Sequence, residues 1–302
     1  MKTMQNLIYS VVAVLTLAIG ALTVRAAPGD LFVSINGTGE DGAGFIYQYT
    51  PNGVILFASG LSRPRGLAFD RRGNLFVANT TFDDVTQTFQ ASVVKISPDG
   101  VQRTVATLSG NLFGQGMAFD RAGNLFVGVS DGNAPPGPST IYKFTRDWTQ
   151  STFGGFPGWI VGNLVFDSLG NLWVGDAWFQ NIYKFTPDGT RSVFVDYHAF
   201  NSNDGPVGLA LDRLGNVFTS TQDATPTGTD TILKFTPDGV ESTFATGLDW
   251  PRGLAFDSRG DLFVAQRGAF APPGDVLQFR RDGNWRVFAP ELDDPQYVAF
   301  QP

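Results

Sequence analysis

The chain has 302 residues, 42% of them hydrophobic and 16% charged, a composition that can bury a core and argues against disorder. Its formal net charge of −7 repels phosphate backbones, which argues against nucleic acid as a partner. It has no cysteine, so disulfides, thiol catalysis and Cys-type zinc sites are excluded.

The chain opens with Lys2, an uncharged run of 18 residues from Leu7 to Val24, and then Arg25-Ala26-Ala27, with small residues where a signal peptidase cuts. Residues 1–27 read as a secretory signal peptide, with a retained apolar anchor as the alternative. Cleavage would remove Lys2 and Arg25, leaving 19 basic and 28 acidic residues, a net charge of −9, and no membrane span. The expected location is secreted or periplasmic, and an exported chain without disulfides suits a bacterial envelope or exterior.

Residues 28–302 form a single domain of repeats. Gly66-Leu-Ala-Phe-Asp70 leads into Gly73-Asn-Leu-Phe-Val-Ala78, and the same pair of segments recurs around Asp120, Asp167, Asp212 and Asp257, spaced by 50, 47, 45 and 45 residues. Each copy continues to a segment such as Tyr183-Lys-Phe-Thr-Pro-Asp-Gly189 and a short alternating run such as Ser192-Val-Phe-Val195. Pro-Asp-Gly marks a tight turn, because proline presets φ and glycine accepts a positive one. Four short strands, a to d, in about 45 residues predict one propeller blade.

The ends predict the closure. The domain starts on a strand b, Gly29-Asp-Leu-Phe-Val-Ser34, and finishes on a strand a, Pro295-Gln-Tyr-Val-Ala-Phe300. Five whole units and one split unit give an all-β, six-bladed β-propeller with four antiparallel strands per blade, its ring closed by the C-terminal strand joining the N-terminal blade. Closure also hides the sheet edges. Ala68, Ala118, Val165, Ala210, Ala255 and Ala299 are expected on the crowded innermost strands. Phe69, Phe119, Phe166, Leu211, Phe256 and Phe300 are expected between blades.

The pattern Pro64-Arg-Gly-Leu-Ala-Phe-Asp-x-x-Gly-Asn-Leu-Phe-Val-Ala78, followed by Lys-Phe-Thr-Pro-Asp-Gly, resembles the NHL repeat and the related SMP-30/gluconolactonase and streptogramin-lyase propellers. The resemblance covers nearly all of the domain, but the shared motif is structural. It implies a site at the channel mouth, and for the lactonases calcium held there by Glu, Asn and Asp.

The a–b and c–d turns share one face and are tight. The b–c and d–a connections share the other face and carry the long segments Thr80–Ala91, Ser130–Ser139, Thr221–Thr229 and Gln266–Asp275, so that face is the expected site of function. It is also rich in aromatics: Phe82, Phe89, Phe156, Trp159, Trp178, Phe179, Tyr197, Phe200, Trp250 and Phe270. Some lactonase-type calcium ligands lie five residues before the repeat aspartate, where this chain reads Arg65, Gln115, Gly162, Val207, Arg252 and Gln296. That ring has no carboxylate, and two guanidinium groups oppose a cation. Arg65, Gln296 and Arg252 come from three consecutive blades and suit a carboxylate or another small anion, unless each arginine pairs with a loop acid such as Asp249 or Asp294.

Asn163, one residue off that register, and Asn203-Asp204 keep a displaced metal site in view. Asn79 and Asp176 follow strand b and are either polar site groups or strand caps. His198 is the single histidine, in no motif that would make it a base. The sequence reading is therefore a binding propeller for a small anionic ligand, glycan or protein at the loop face, without a cofactor. The alternative is a metal-dependent lactone hydrolase or lyase with a displaced site, in which case calcium is the cofactor.

Overall fold

A computed structural model describes residues 26–133, 137–158, 161–200, 205–222, 230–268 and 273–302. Residues 1–25, most of the segment that reads as a signal, lie outside the described residues, as do Trp159, Asn203, Asp204 and Phe270. The chain forms six four-stranded antiparallel sheets. Blade 1 pairs Leu31–Ile35, Gly44–Thr50 and Gly53–Leu61 with the closing strand Pro295–Phe300. Blade 2 holds Leu67–Phe69, Leu75–Asp83, Thr88–Ile96 and Gln102–Thr107. Blade 3 holds Leu112–Phe119, Leu125–Asp131, Ser139–Phe144 and Gln150–Phe156. Blades 4, 5 and 6 begin on Val161–Phe166, Gly205–Leu211 and Pro251–Phe256. The innermost strands neighbour one another all round the ring.

Closure rests on backbone pairing as well as on the sheet. The Gly29 N–H donates to the Gln301 carbonyl at 2.9 Å, and the Gln301 N–H donates to the Asp30 carbonyl at 3.0 Å. The Asp30 carboxylate accepts from Ala27 N–H and Gln48 Nε2, so the two chain ends are tied at one place.

The repeat motif has a local reason. In four a–b turns the aspartate takes backbone N–H bonds and the asparagine amide: Asp70 with Asn74, Asp120 with Asn124, Asp167 with Asn171 and Asp212 with Asn216; in blade 6 Asp261 replaces the asparagine and only its N–H bonds Asp257. The glycine between them sits at positive φ, 77° at Gly73, which an L side chain rarely adopts. The strand a phenylalanines then pack edge-on against the strand b aromatic of the preceding blade: Phe69 on Phe32, Phe119 on Phe76 and Phe166 on Phe126, all at 5.0 Å.

One expected loop is strand instead. Over Thr80–Ala91, strands b and c of blade 2 continue as a hairpin, paired as far as Asp83 with Thr88. The cross-strand pair Phe82 and Phe89 stacks at 4.6 Å and carries the ladder outward.

Candidate functional site at the channel mouth

The central channel is a cavity of about 420 Å³ lined by the six innermost strands, among them Ala68, Ala118, Val165, Ala210, Ala255 and Ala299. At its mouth the inner strands are irregular. The pairing of strand a with strand b shifts between Gly114 and Met117, Val161 and Leu164, Pro206 and Leu209, and Pro251 and Leu254, and also where Pro295 and Tyr297 face Ile35 and Ser34. The skipped residues include the ring positions Gln115, Gly162, Val207, Arg252 and Gln296, in four cases together with the residue that follows. A bulge re-aims a side chain that a regular ladder would send to the sheet face.

Four of the six ring positions are followed by a glycine that has no room for a side chain. A Cβ on Gly66, Gly116 or Gly208 would strike the carbonyl oxygen of Gln115, Gly162 or Arg252 on the next blade. Two serines of strand b brace the two arginines from behind: Ser34 Oγ donates to the Arg65 carbonyl at 3.0 Å, and Ser220 Oγ to the Arg252 carbonyl at 2.8 Å.

The side chains of the ring are unequally satisfied. Arg65 Nη1 donates to Gln115 Oε1 at 2.5 Å. Gln296 Nε2 donates to Asp294 Oδ1 at 2.7 Å. Arg252 Nε is buried without a hydrogen-bond partner among the described residues. The nearby acid Asp294 is committed elsewhere, to Arg267 Nε at 2.7 Å and to Asn36 Nδ2 at 2.9 Å. Among the described residues neither Arg65 nor Arg252 has a carboxylate within ion-pair distance. Burial, and then the Arg65 charge, push the Arg252 pKa down to about 10. Burial lowers that of Arg65 as well, against the pull of Tyr297 and Asp294. Burial raises the pKa of the Tyr297 hydroxyl, which the two arginines oppose.

The remaining sequence-derived candidates lie apart from this cluster or serve the backbone. Asn163 lines the channel and its amide donates to the Leu209 and Leu254 carbonyls at 3.3 and 3.4 Å, across two other blades. Asn79 accepts the Ser62 N–H at 2.7 Å, pinning the link from blade 1 to blade 2. Asp176 is fully buried, and its Oδ1 accepts the Trp178 and Phe179 N–H groups at 3.1 Å. Among the described residues its Oδ2 has no hydrogen-bond partner, and burial raises the pKa to about 6 against those two N–H bonds and the Tyr183 hydroxyl.

The aromatics divide. Phe156 and Phe200 are core, whereas Trp178 and Phe179 remain exposed. Arg63 lies over Phe82 and Phe89, and Arg267 over Trp250. Sequence reasoning named Asp294 as a partner for a ring arginine but missed Arg267, which takes it instead, because nothing in either segment marks that pairing across the loop face. His198 lies exposed on the turn Tyr197–Ala199.

The donor set does not fit calcium. Two guanidinium groups and two amides offer no anionic oxygen, and among the described residues no three His, Asp or Glu side chains gather as a metal site.

Bulged inner strands and a closed ring define a six-bladed propeller, with a candidate site of polar groups at one mouth of its channel. Comparison with solved structures places the chain in that fold. It superposes on a protein of unknown function from Bacteroides caccae with a TM-score of 0.61 at 13% identity, covering 90% of this chain and 98% of that one. It superposes on a gluconolactonase of Xanthomonas campestris with a TM-score of 0.58 at 17% identity, covering 91% and 89%. For a virginiamycin B lyase of Staphylococcus aureus the values are 0.54, 12%, 89% and 92%. No family model and no curated protein matches the chain.

Proposed function

We propose that this protein is an exported binding propeller that takes a small carboxylate-bearing ligand at the channel mouth, between Arg65 and Arg252. One observation carries the reading: Arg252 keeps a buried, unpartnered Nε beside a second guanidinium, while the nearby acid Asp294 is held by Arg267. Two arginines close together in a desolvated mouth repel each other, and an entering carboxylate relieves that repulsion while accepting forked N–H bonds. Gln115 and Gln296 flank the arginines, and Gln115 already holds Arg65 in place. The resemblance to lactonase and lyase propellers supports the fold, and fold does not carry an activity. A lactonase-type reading needs a metal that this donor set does not suit.

Calorimetric titration of the purified protein with a panel of small mono- and dicarboxylates, with chloride as control, tests the reading. Saturable binding to at least one carboxylate, weakened tenfold or more by R65A and by R252A, is expected. Affinities that both variants leave unchanged would remove the anion site.

A further inference from the structure

The opposite face, with its tight turns, breaks the repeat at one place. In five blades the bulged residue of strand d is phenylalanine, and each packs edge-on against the strand b aromatic of its own blade: Phe57 on Phe32, Phe153 on Phe126, Phe194 on Trp173, Phe244 on Phe218 and Phe288 on Phe263. In blade 2 the same position is Val105, at the shift between Val93 and Val94. Phe76 therefore lacks its own cover. The c–d turn of the next blade departs too. Where the other five turns have Gly53, Gly100, Gly189, Gly239 and Gly283, all at positive φ, blade 3 has Trp148 at φ 66°. A bulky side chain in the left-handed region is an outlier that the surroundings must hold in place, and such outliers cluster at ligand sites.

The two departures meet. Trp148 crosses from blade 3 and stacks on Phe76 of blade 2 at 5.7 Å and 28°. It does not fill the gap, since a cavity of about 420 Å³ remains between the two blades. The rings of Phe76, Phe119, Phe144 and Trp148 line it, together with four cations, Arg71, Arg72, Lys95 and Arg146. Arg146 stands where three of the other turns have proline before Asp-Gly. Two carboxylates also border the cavity, and both are engaged by their own turns: Asp70 by Arg72 N–H, Asn74 N–H and the Asn74 amide, and Asp120 by Asn124 N–H and the Asn124 amide. Among the described residues none of the four cations makes an ion pair. In a chain with a net charge of −7 this is a basic, aromatic groove.

We propose that this inter-blade groove is a second binding site, distinct from the channel mouth, for an acidic oligosaccharide whose sugars carry carboxylates. The flat rings match the apolar face of a pyranose. Arginines match carboxylates through forked hydrogen bonds, and four cations around one groove suit charges on successive sugars. The volume lies in the range of small-ligand sites.

The test uses the residues of the other blades. V105F/W148G restores the repeat at both positions, closing the gap and relaxing the turn. Calorimetry with an oligogalacturonate should show saturable binding that weakens with salt and falls at least tenfold in V105F/W148G. R71Q/R146Q, confined to the exposed rim, should lose binding to a similar degree and keeps the test decisive if the first variant misfolds. No saturable binding, or equal binding of neutral maltohexaose, would overturn the site. Tighter binding of a sulfated oligosaccharide would overturn the carboxylate class. Binding that R252A abolishes and V105F/W148G leaves intact would belong to the channel mouth and overturn the groove alone.

Discussion

Replacing Arg252 by glutamine should make this protein more stable, because the arginine is held where its charge is costly. Burial and the Arg65 charge take its pKa from the usual value of about 12.5 down to about 10. At about 1.4 kcal/mol per pH unit that difference is worth about 3 kcal/mol. Part of the side chain still reaches water, which reduces the figure to about 1.5 kcal/mol. A cation whose folded pKa is depressed carries this cost in full at neutral pH, and the cost fades only as pH rises through 10. R252Q should therefore raise the melting midpoint at pH 7 by about 3 °C, at about 2 °C per kcal/mol for a domain of this size. R65Q should also stabilise, and R65Q/R252Q should gain less than the sum, since the mutual repulsion is removed only once. Scanning calorimetry of the four proteins, with and without a binding carboxylate, reads both effects. An R252Q protein that melts below wild type, or that keeps the carboxylate-induced rise in midpoint, would refute the reasoning.

Two further predictions concern the scaffold. Asp176 has its pKa raised by burial from 3.8 to about 6, so its charge costs stability above pH 6 and the cost is lost as pH falls from 6 toward 4. D176N keeps the oxygen that accepts the Trp178 and Phe179 N–H groups. It should gain about 3 kcal/mol in urea melts at pH 8 and little at pH 4, and an equal gain at both would contradict the assignment. Gly208 has its would-be Cβ against the Arg252 carbonyl of the next blade. G208A should cost about 3 kcal/mol in the same melts by forcing two inner strands apart, and an unchanged midpoint would show that the ring can relax there.

The sequence by itself determined the architecture. Strand period, Pro-Asp-Gly turns and the aspartate–asparagine motif are local signals repeated at a near-constant spacing, and a domain whose first strand is a b and whose last is an a closes by pairing the two in one blade. The Ala and Phe columns followed from that register, and so did the ring of Arg65, Gln115, Arg252 and Gln296. What each ring residue touches was decided only by the tertiary structure, because those contacts cross blades separated by tens to hundreds of residues. Nothing in the segment around Asp294 tells that its carboxylate goes to Arg267 and that Arg252 Nε is left without a hydrogen-bond partner among the described residues. Nor does any local signal tell that Asn79 accepts the Ser62 N–H while Asn163 spans the channel. The Thr80–Ala91 segment reads in the sequence as a long connection, because its pairing depends on a cross-strand aromatic contact. Val105 and Trp148 were visible as departures from their repeat columns, but each alone is an ordinary substitution. They acquire meaning because propeller geometry brings strand d of one blade against the turn of the next, where a missing ring and an added ring leave a cavity between them.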